Sequence, residues 1–67
     1  MSNSKIVITN LTPREQEVLV LIGEGLSSQE VAAHLYVSKR TVDFHLANTY
    51  KKLKVKNRVQ ALKILSV

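Results

Sequence analysis

The sequence predicts an all-α fold of four short helices. Three observations carry that reading. Residues suited to capping a helix N-terminus recur at Thr12, Ser27, Ser38 and Asn57. Each has a side-chain oxygen that can accept from an unpaired backbone N–H of the first turn. Each is followed by apolar residues at three- and four-residue spacing, the period of a helix face. Finally, 67 residues suit one small domain, which buries only roughly 60% of the surface its unfolded chain exposes. That leaves little space for an enclosed active site. A hydrophobic content of 45% is ordinary for a globular domain and too high for a disordered one.

Residues 1–10 are mostly polar and carry no helix signal. They are expected to be a flexible lead-in to a domain spanning 11–67. Ile6-Val7-Ile8-Thr9 suits a short extended segment, but nothing nearby offers it a strand partner. The first helix opens at Thr12, with Pro13 at the first helical position, where no N–H is needed. Glu15, three residues after Thr12, completes a capping box. Val18, Leu19, Leu21 and Ile22 turn toward the core. Gly23 and Gly25 mark the end, and Gly25 suits a left-handed C-cap.

The second helix starts at Ser27 or Ser28, where Ser27 and Glu30 form a second capping box. Val31, Ala32 and Leu35 lie at helical spacing, and Leu35-Tyr36-Val37 makes a tight connection. Ser38 caps the third helix, Lys39 to about Leu53. At about 100° per residue, Val42, Leu46, Thr49 and Leu53 share one stripe, with His45 on its border. Arg40, Asp43, Phe44, Ala47 and Lys51 point the other way. A solvated face does not ordinarily display a phenylalanine. Phe44 is therefore either a satellite core contact, against Tyr36 or the end of helix two, or part of a binding surface. After a break at Lys54-Val55-Lys56, Asn57 caps a fourth helix from Arg58 to about Leu65. Val59, Leu62, Ile64 and Leu65 supply its apolar side, and Ala61 is small enough for close approach. Helices two and three, joined by about three residues and with basic residues outward on the second, form a helix-turn-helix arrangement.

Charge is unevenly distributed. Residues 1–33 carry Lys5 and Arg14 against Glu15, Glu17, Glu24 and Glu30, a net of −2. Residues 34–67 carry Lys39, Arg40, Lys51, Lys52, Lys54, Lys56, Arg58 and Lys63 against Asp43 alone, a net of +7. Such asymmetry points to a polyanionic partner, nucleic acid or an anionic membrane surface, unless it is a merely solvated face. The absence of cysteine excludes disulfides, thiolate-bound zinc and iron–sulfur clusters. The longest apolar run, Val18 to Ile22, falls far short of the ~18 residues that span a bilayer. The three apolar residues after Lys5 are too few for a signal-peptide core. A soluble, cytoplasmic protein that does not enter a membrane is expected. No nucleophile–base pair and no glycine-rich phosphate loop is suggested. His34 and His45 lack a cysteine or an ordered acidic partner, so no metal site is expected. Neither a cofactor nor an enzyme activity is anticipated.

Leu11-Thr12-Pro13-Arg14-Glu15, Val18-Leu19, Ile22, Gly25, Glu30-Val31-Ala32, Val37-Ser38, Thr41-Val42, His45, Asn48, Lys52-Leu53, Val55, Arg58 and Ala61 form an ordered set. In that order and spacing the set resembles the LuxR-type (GerE-like) helix-turn-helix domain over about residues 10–66. The resemblance implies a tetrahelical DNA-binding domain of bacterial transcription regulators. Such a domain typically lies behind a receiver or autoinducer-binding domain and typically binds DNA as a dimer. Two positions depart from the family. Asp43 stands where many members carry lysine. Thr49 stands where a large aliphatic residue is common, which predicts a looser core beneath the third helix.

A helix fits the major groove, and its outward side chains near the N-terminus reach base edges. Arg40, Asp43, Phe44 and Ala47 are therefore the base-reading candidates. Asp43 could accept from cytosine N4, or hold Lys39 or Arg40 in place. Phosphate contacts are expected from hydroxyls and helix starts at Ser27, Ser28 and Thr41. His45 and the cations Lys39, Lys51, Lys52, Lys54, Lys56 and Arg58 are further candidates. The serines serve equally as caps, His45 equally as a packed neutral residue, and each lysine equally as a solvated one. By resemblance the fourth helix offers the homodimer surface, through Val59, Leu62, Lys63 and Leu65, unless these serve only the internal core. The expected function is sequence-specific binding of double-stranded DNA by a bacterial transcription regulator, with the helix at about 39–53 in the major groove. A regulatory domain or partner protein outside these residues is compatible with that role. Two rivals stand beside it: a protein-interaction module that pairs with a larger regulator, and a non-specific duplex binder.

Overall fold

Each helix begins where a side chain can satisfy the first turn. A computed structural model describes residues 10–65 and contains α1 (Pro13–Gly23), α2 (Ser28–Leu35), α3 (Lys39–Leu53) and α4 (Arg58–Leu65), with no strand among the described residues. Residues 1–9 of the expected lead-in at 1–10, with its extended segment at 6–9, and the last two residues lie outside the described residues. At α1 the Glu15 backbone N–H donates to Thr12 Oγ1 at 3.1 Å, and the Thr12 N–H donates back to Glu15 Oε1 at 3.0 Å. Ser27 and Glu30 repeat the exchange at α2, at 3.1 and 2.8 Å. Ser38 accepts from the Thr41 N–H at 3.0 Å, and Asn57 Oδ1 from the Gln60 N–H at 3.0 Å. All four expected caps are formed.

The first three helices also end alike. At the end of α1 the Leu26 N–H reaches Leu21 O at 3.2 Å and the Gly25 N–H reaches Ile22 O at 3.0 Å. This six-to-one and five-to-two pairing needs a left-handed residue, supplied by Gly25 at φ 101°. The same pairing closes α2 through Val37 and Tyr36, and α3 through Val55 and Lys54. There the left-handed residues are Tyr36 and Lys54, both at φ 60°. A non-glycine residue in that conformation costs on the order of 1 kcal/mol. The three-residue connection between α2 and α3 requires the bend, and no glycine stands there to supply it.

α1 and α2 both pack mainly on α3, and α4 closes against α1 and α3. One core cluster unites Val18, Ile22, Val31, Ala32, Val42 and Leu46; a second unites Leu11, Leu19 and Ala61. Tyr50 touches both, and the burial of its ring raises its hydroxyl pKa above 10.0. The expected stripe of α3 is largely buried: Val42, Leu46 and Thr49 are enclosed, and Leu53 is half-buried against the second cluster. Thr49 is fully enclosed despite its small size, and its hydroxyl donates to His45 O at 2.7 Å. The shorter side chain is thus accommodated by a hydrogen bond to the preceding turn.

The expected apolar side of α4 needs one correction. Val59 is 65% exposed, whereas Ala61 is fully buried. At about 100° per residue, positions 58, 61, 62 and 65 share the inward face, and position 59 falls off it. Ala61 lets α4 approach closely; Leu62 and Leu65 flank it, half-buried against the two core clusters.

Candidate nucleic-acid interface

The surface of interest is the outward side of α3. Buried Val42, Leu46 and Thr49 fix the rotation of this helix, so Lys39, Arg40, Asp43, Phe44, Ala47 and Lys51 are exposed. Arg40, Asp43, Phe44, Ala47 and Lys51 follow the three- and four-residue spacing of one helix stripe. Lys39 Nζ donates to Asp43 Oδ2 at 2.8 Å. That hydrogen bond holds the Asp43 carboxyl below its ordinary pKa of 3.8. Of the two cations that Asp43 was expected to hold, Lys39 is the one it meets.

Phe44 is 64% exposed and Tyr36 is 95% exposed. The satellite-core role for Phe44 is therefore overturned. Its ring meets the His45 imidazole edge-on, with centroids 5.8 Å apart and planes at 63°. The ring is thus left in water, beside exposed Arg40, Asp43 and Ala47 on the same face. His45 is half-buried, at the border of the core stripe, as its position in the period predicts.

The phosphate candidates separate into two groups. Lys51, Lys54 and Lys56 are exposed around the end of α3 and the start of α4, and Lys39 lies at the other end of the helix. Lys52, also exposed, and Arg58, half-buried, in addition make bonds that tie the helices together. Lys52 Nζ donates to Glu15 Oε1 at 2.7 Å, and Glu15 is only 4% exposed. The bond from Lys52 and the Thr12 N–H outweigh the cost of burial and keep the Glu15 carboxyl below its ordinary 4.5. Arg58 Nη2 donates to Leu26 O at 2.7 Å, tying the start of α4 to the α1–α2 loop. The hydroxyl candidates are also engaged. Ser27 is the α2 cap and Thr41 Oγ1 lies 3.0 Å from Ser38 Oγ. Ser28 is half-buried beside Asp43. Capping uses hydroxyl acceptor capacity; it leaves the Ser27 hydroxyl proton able to donate.

Of the expected dimer residues, Val59 and Lys63 are exposed one turn apart on α4, while Leu62 and Leu65 are largely committed to the internal core. A groove of about 580 Å³ runs between α1 and α2 and is lined by Pro13, Gln16, Glu17, Val20, Leu21, His34 and Leu35. It presents Glu17 and no lysine or arginine among those lining residues, so it is unsuited to a polyanion.

The α3 face is legible in the sequence; the ties behind it are not. Glu15–Lys52 and Arg58–Leu26 join residues 37 and 32 positions apart, beyond any helical period. The left-handed Tyr36 did leave a signal: a tight connection with no glycine in it.

Comparison with known proteins agrees with this geometry. Residues 9–65 match the family described as bacterial regulatory proteins, luxR family. A Mycobacterium tuberculosis protein named as a putative HTH-type transcriptional regulator is 49% identical over 51 residues, covering 76% of this chain and 6% of that protein. The CsgBAC operon transcriptional regulatory protein of Escherichia coli is 48% identical over 52 residues, covering 78% of this chain and 24% of that one. A solved structure of the RcsB response regulator of Salmonella typhimurium superposes with a TM-score of 0.82 at 38% identity, over 84% of this chain and 27% of that one. The chain thus spans about a quarter or less of the length of these relatives. With its four helices, its caps and its family match over nearly the whole length, the chain belongs to the LuxR (GerE) family of bacterial regulatory proteins.

Proposed function

We propose that the chain is the DNA-binding unit of a bacterial transcription regulator, acting on double-stranded DNA in the cytoplasm and reading sequence with α3 in the major groove. The observation that carries this is the outward face of α3. Arg40, Asp43, Phe44 and Ala47 are exposed there side by side, on a helix whose rotation is fixed by its buried stripe. A helix so presented fits the major groove, and its N-terminal half reaches base edges. Ala47 keeps the centre of that face low enough for close approach. Lys51, Lys54 and Lys56 supply backbone contacts, which position the protein without reading sequence; Lys39 stands at the start of the reading helix, bonded to Asp43. Ser27, Ser28, Thr41 and His45 border the same surface as hydroxyl and imidazole donors.

The relatives are several-fold longer, so this reading assigns control to a regulatory domain or partner outside these residues. It assigns dimerisation on DNA to the exposed Val59–Lys63 side of α4, with Leu62 and Leu65 at its edge. Chemistry on a substrate is not part of the reading.

Replacing both Lys51 and Lys56 by alanine tests the backbone contacts. Each phosphate contact contributes about 0.9 to the slope of log affinity against log salt. The double variant should bind every duplex more weakly and lose nearly 2 from that slope, with its preferred sequence unchanged. An unaltered slope would remove these lysines from the interface. Capture of a larger regulator without duplex affinity would replace DNA binding by the interaction-module reading.

A further inference from the structure

Asp43 is the odd residue on a face otherwise suited to a polyanion. It is exposed near the N-terminal end of α3, one turn beyond Lys39, with the two joined at 2.8 Å and their side chains 59% and 48% exposed. An acid at that place repels phosphate, so within a groove the bases are what it can meet. A carboxylate only accepts hydrogen bonds, and an ammonium only donates them. Held together, they present one acceptor and one donor about as far apart as the hydrogen-bonded atoms of a base pair.

We propose that the Lys39–Asp43 pair reads a single C·G base pair in the major groove, with Asp43 accepting from cytosine N4 and Lys39 donating to O6 and N7 of the paired guanine. This rests on the DNA-binding reading above and goes beyond it by naming the base pair and the atoms. Lys39 commits one of its three protons to Asp43, leaving two for the two guanine acceptors. The alternatives fail for separate reasons. In the reversed orientations, G·C and T·A, the carboxylate meets guanine or thymine acceptors and is repelled. In A·T an amino group faces Asp43, but adenine N7 lies beside it and repels the second carboxylate oxygen. Thymine then offers Lys39 one acceptor and a methyl group in place of two acceptors. Only C·G gives the carboxylate an amine with no acceptor on the same base, and gives the ammonium two acceptors.

The test is to select duplexes from a random pool with the wild-type chain and with Asp43→Asn, and then to measure affinities for single-position variants of the enriched site. Asparagine is nearly the same size but both donates and accepts, and it suits adenine N6 and N7. Asp43 is exposed and caps no helix, so the variant should keep the wild-type helical spectrum. The wild-type site should contain one C·G pair whose conversion to T·A weakens binding on the order of 10- to 100-fold. In the motif selected by Asp43→Asn that C·G preference should vanish or move to A·T, while the other positions keep theirs. A wild-type motif that Asp43→Asn reproduces at every position would overturn the proposal and leave sequence-specific binding intact. Failure of the wild-type chain to enrich any motif would overturn both.

Discussion

Replacing Glu15 by alanine should remove about 2–3 kcal/mol of folding stability, although the residue lies on α1 and away from the proposed reading face. The carboxylate makes two bonds that serve different ends. It accepts from the Thr12 N–H to complete the α1 capping box, and from Lys52 at 2.7 Å to join α1 to the end of α3. Loss of a capping interaction costs about 1 kcal/mol. Breaking a fully buried ion pair costs roughly 3–5 kcal/mol. Here the cost is smaller, because the Lys52 side chain is 35% exposed and can turn to water. A domain of 67 residues has only about 3–10 kcal/mol in total, so the variant should melt on the order of 10–20 °C lower. Urea titration measures the loss; a change below about 0.5 kcal/mol would mean that the tie between α1 and α3 contributes little.

The same residue sets a pH dependence with a definite sign. Its pKa is lowered in the fold from an ordinary 4.5, so the folded state favours the ionised form. That contribution is fully present above pH 4.5 and is lost as pH falls through the lowered value. Glu15→Gln should therefore be less stable than wild type at neutral pH, with the gap closing in acid. Urea titrations of both proteins across that range check the sign.

Ala47→Glu should separate binding from folding. Position 47 is exposed between Phe44 and Lys51. Glutamate is a good helix former, and a pair with Lys51 one turn on adds a few tenths of a kcal/mol. The fold should therefore keep its melting temperature to within a few degrees. In the groove, however, the added carboxylate fills space needed for close approach and faces a polyanion. Duplex affinity should fall about 100-fold or more, roughly 3 kcal/mol. Unchanged affinity at unchanged stability would remove the outward face of α3 from the groove.

What was legible in the sequence follows the reach of each signal. Caps and periodicity act over three to seven residues, so the bounds of α3 and α4 and the outward set Arg40, Asp43, Phe44 and Ala47 could be read directly. Thr49 showed that position in the period outweighs residue type: it is buried although it is polar and small. Val59 showed the converse, an apolar residue left in water because it falls off the inward face of α4. The roles of Lys52 and Arg58 were not legible, because charge composition treats every cation alike. Their partners, Glu15 and Leu26 O, are brought to them by tertiary packing. The basic second half of the chain is thus partly structural, and the cations proposed for DNA are Lys39, Arg40, Lys51, Lys54 and Lys56.

Contact between duplex DNA and the outward face of α3 is tested most directly by following the backbone amide resonances of the chain as a selected duplex is added. The largest shifts should fall from Lys39 to Lys51 and at the α2 start, Ser27 and Ser28, with the α1–α2 groove around Glu17 and Val20 little changed. Shifts centred on that groove, with α3 unmoved, would contradict the account.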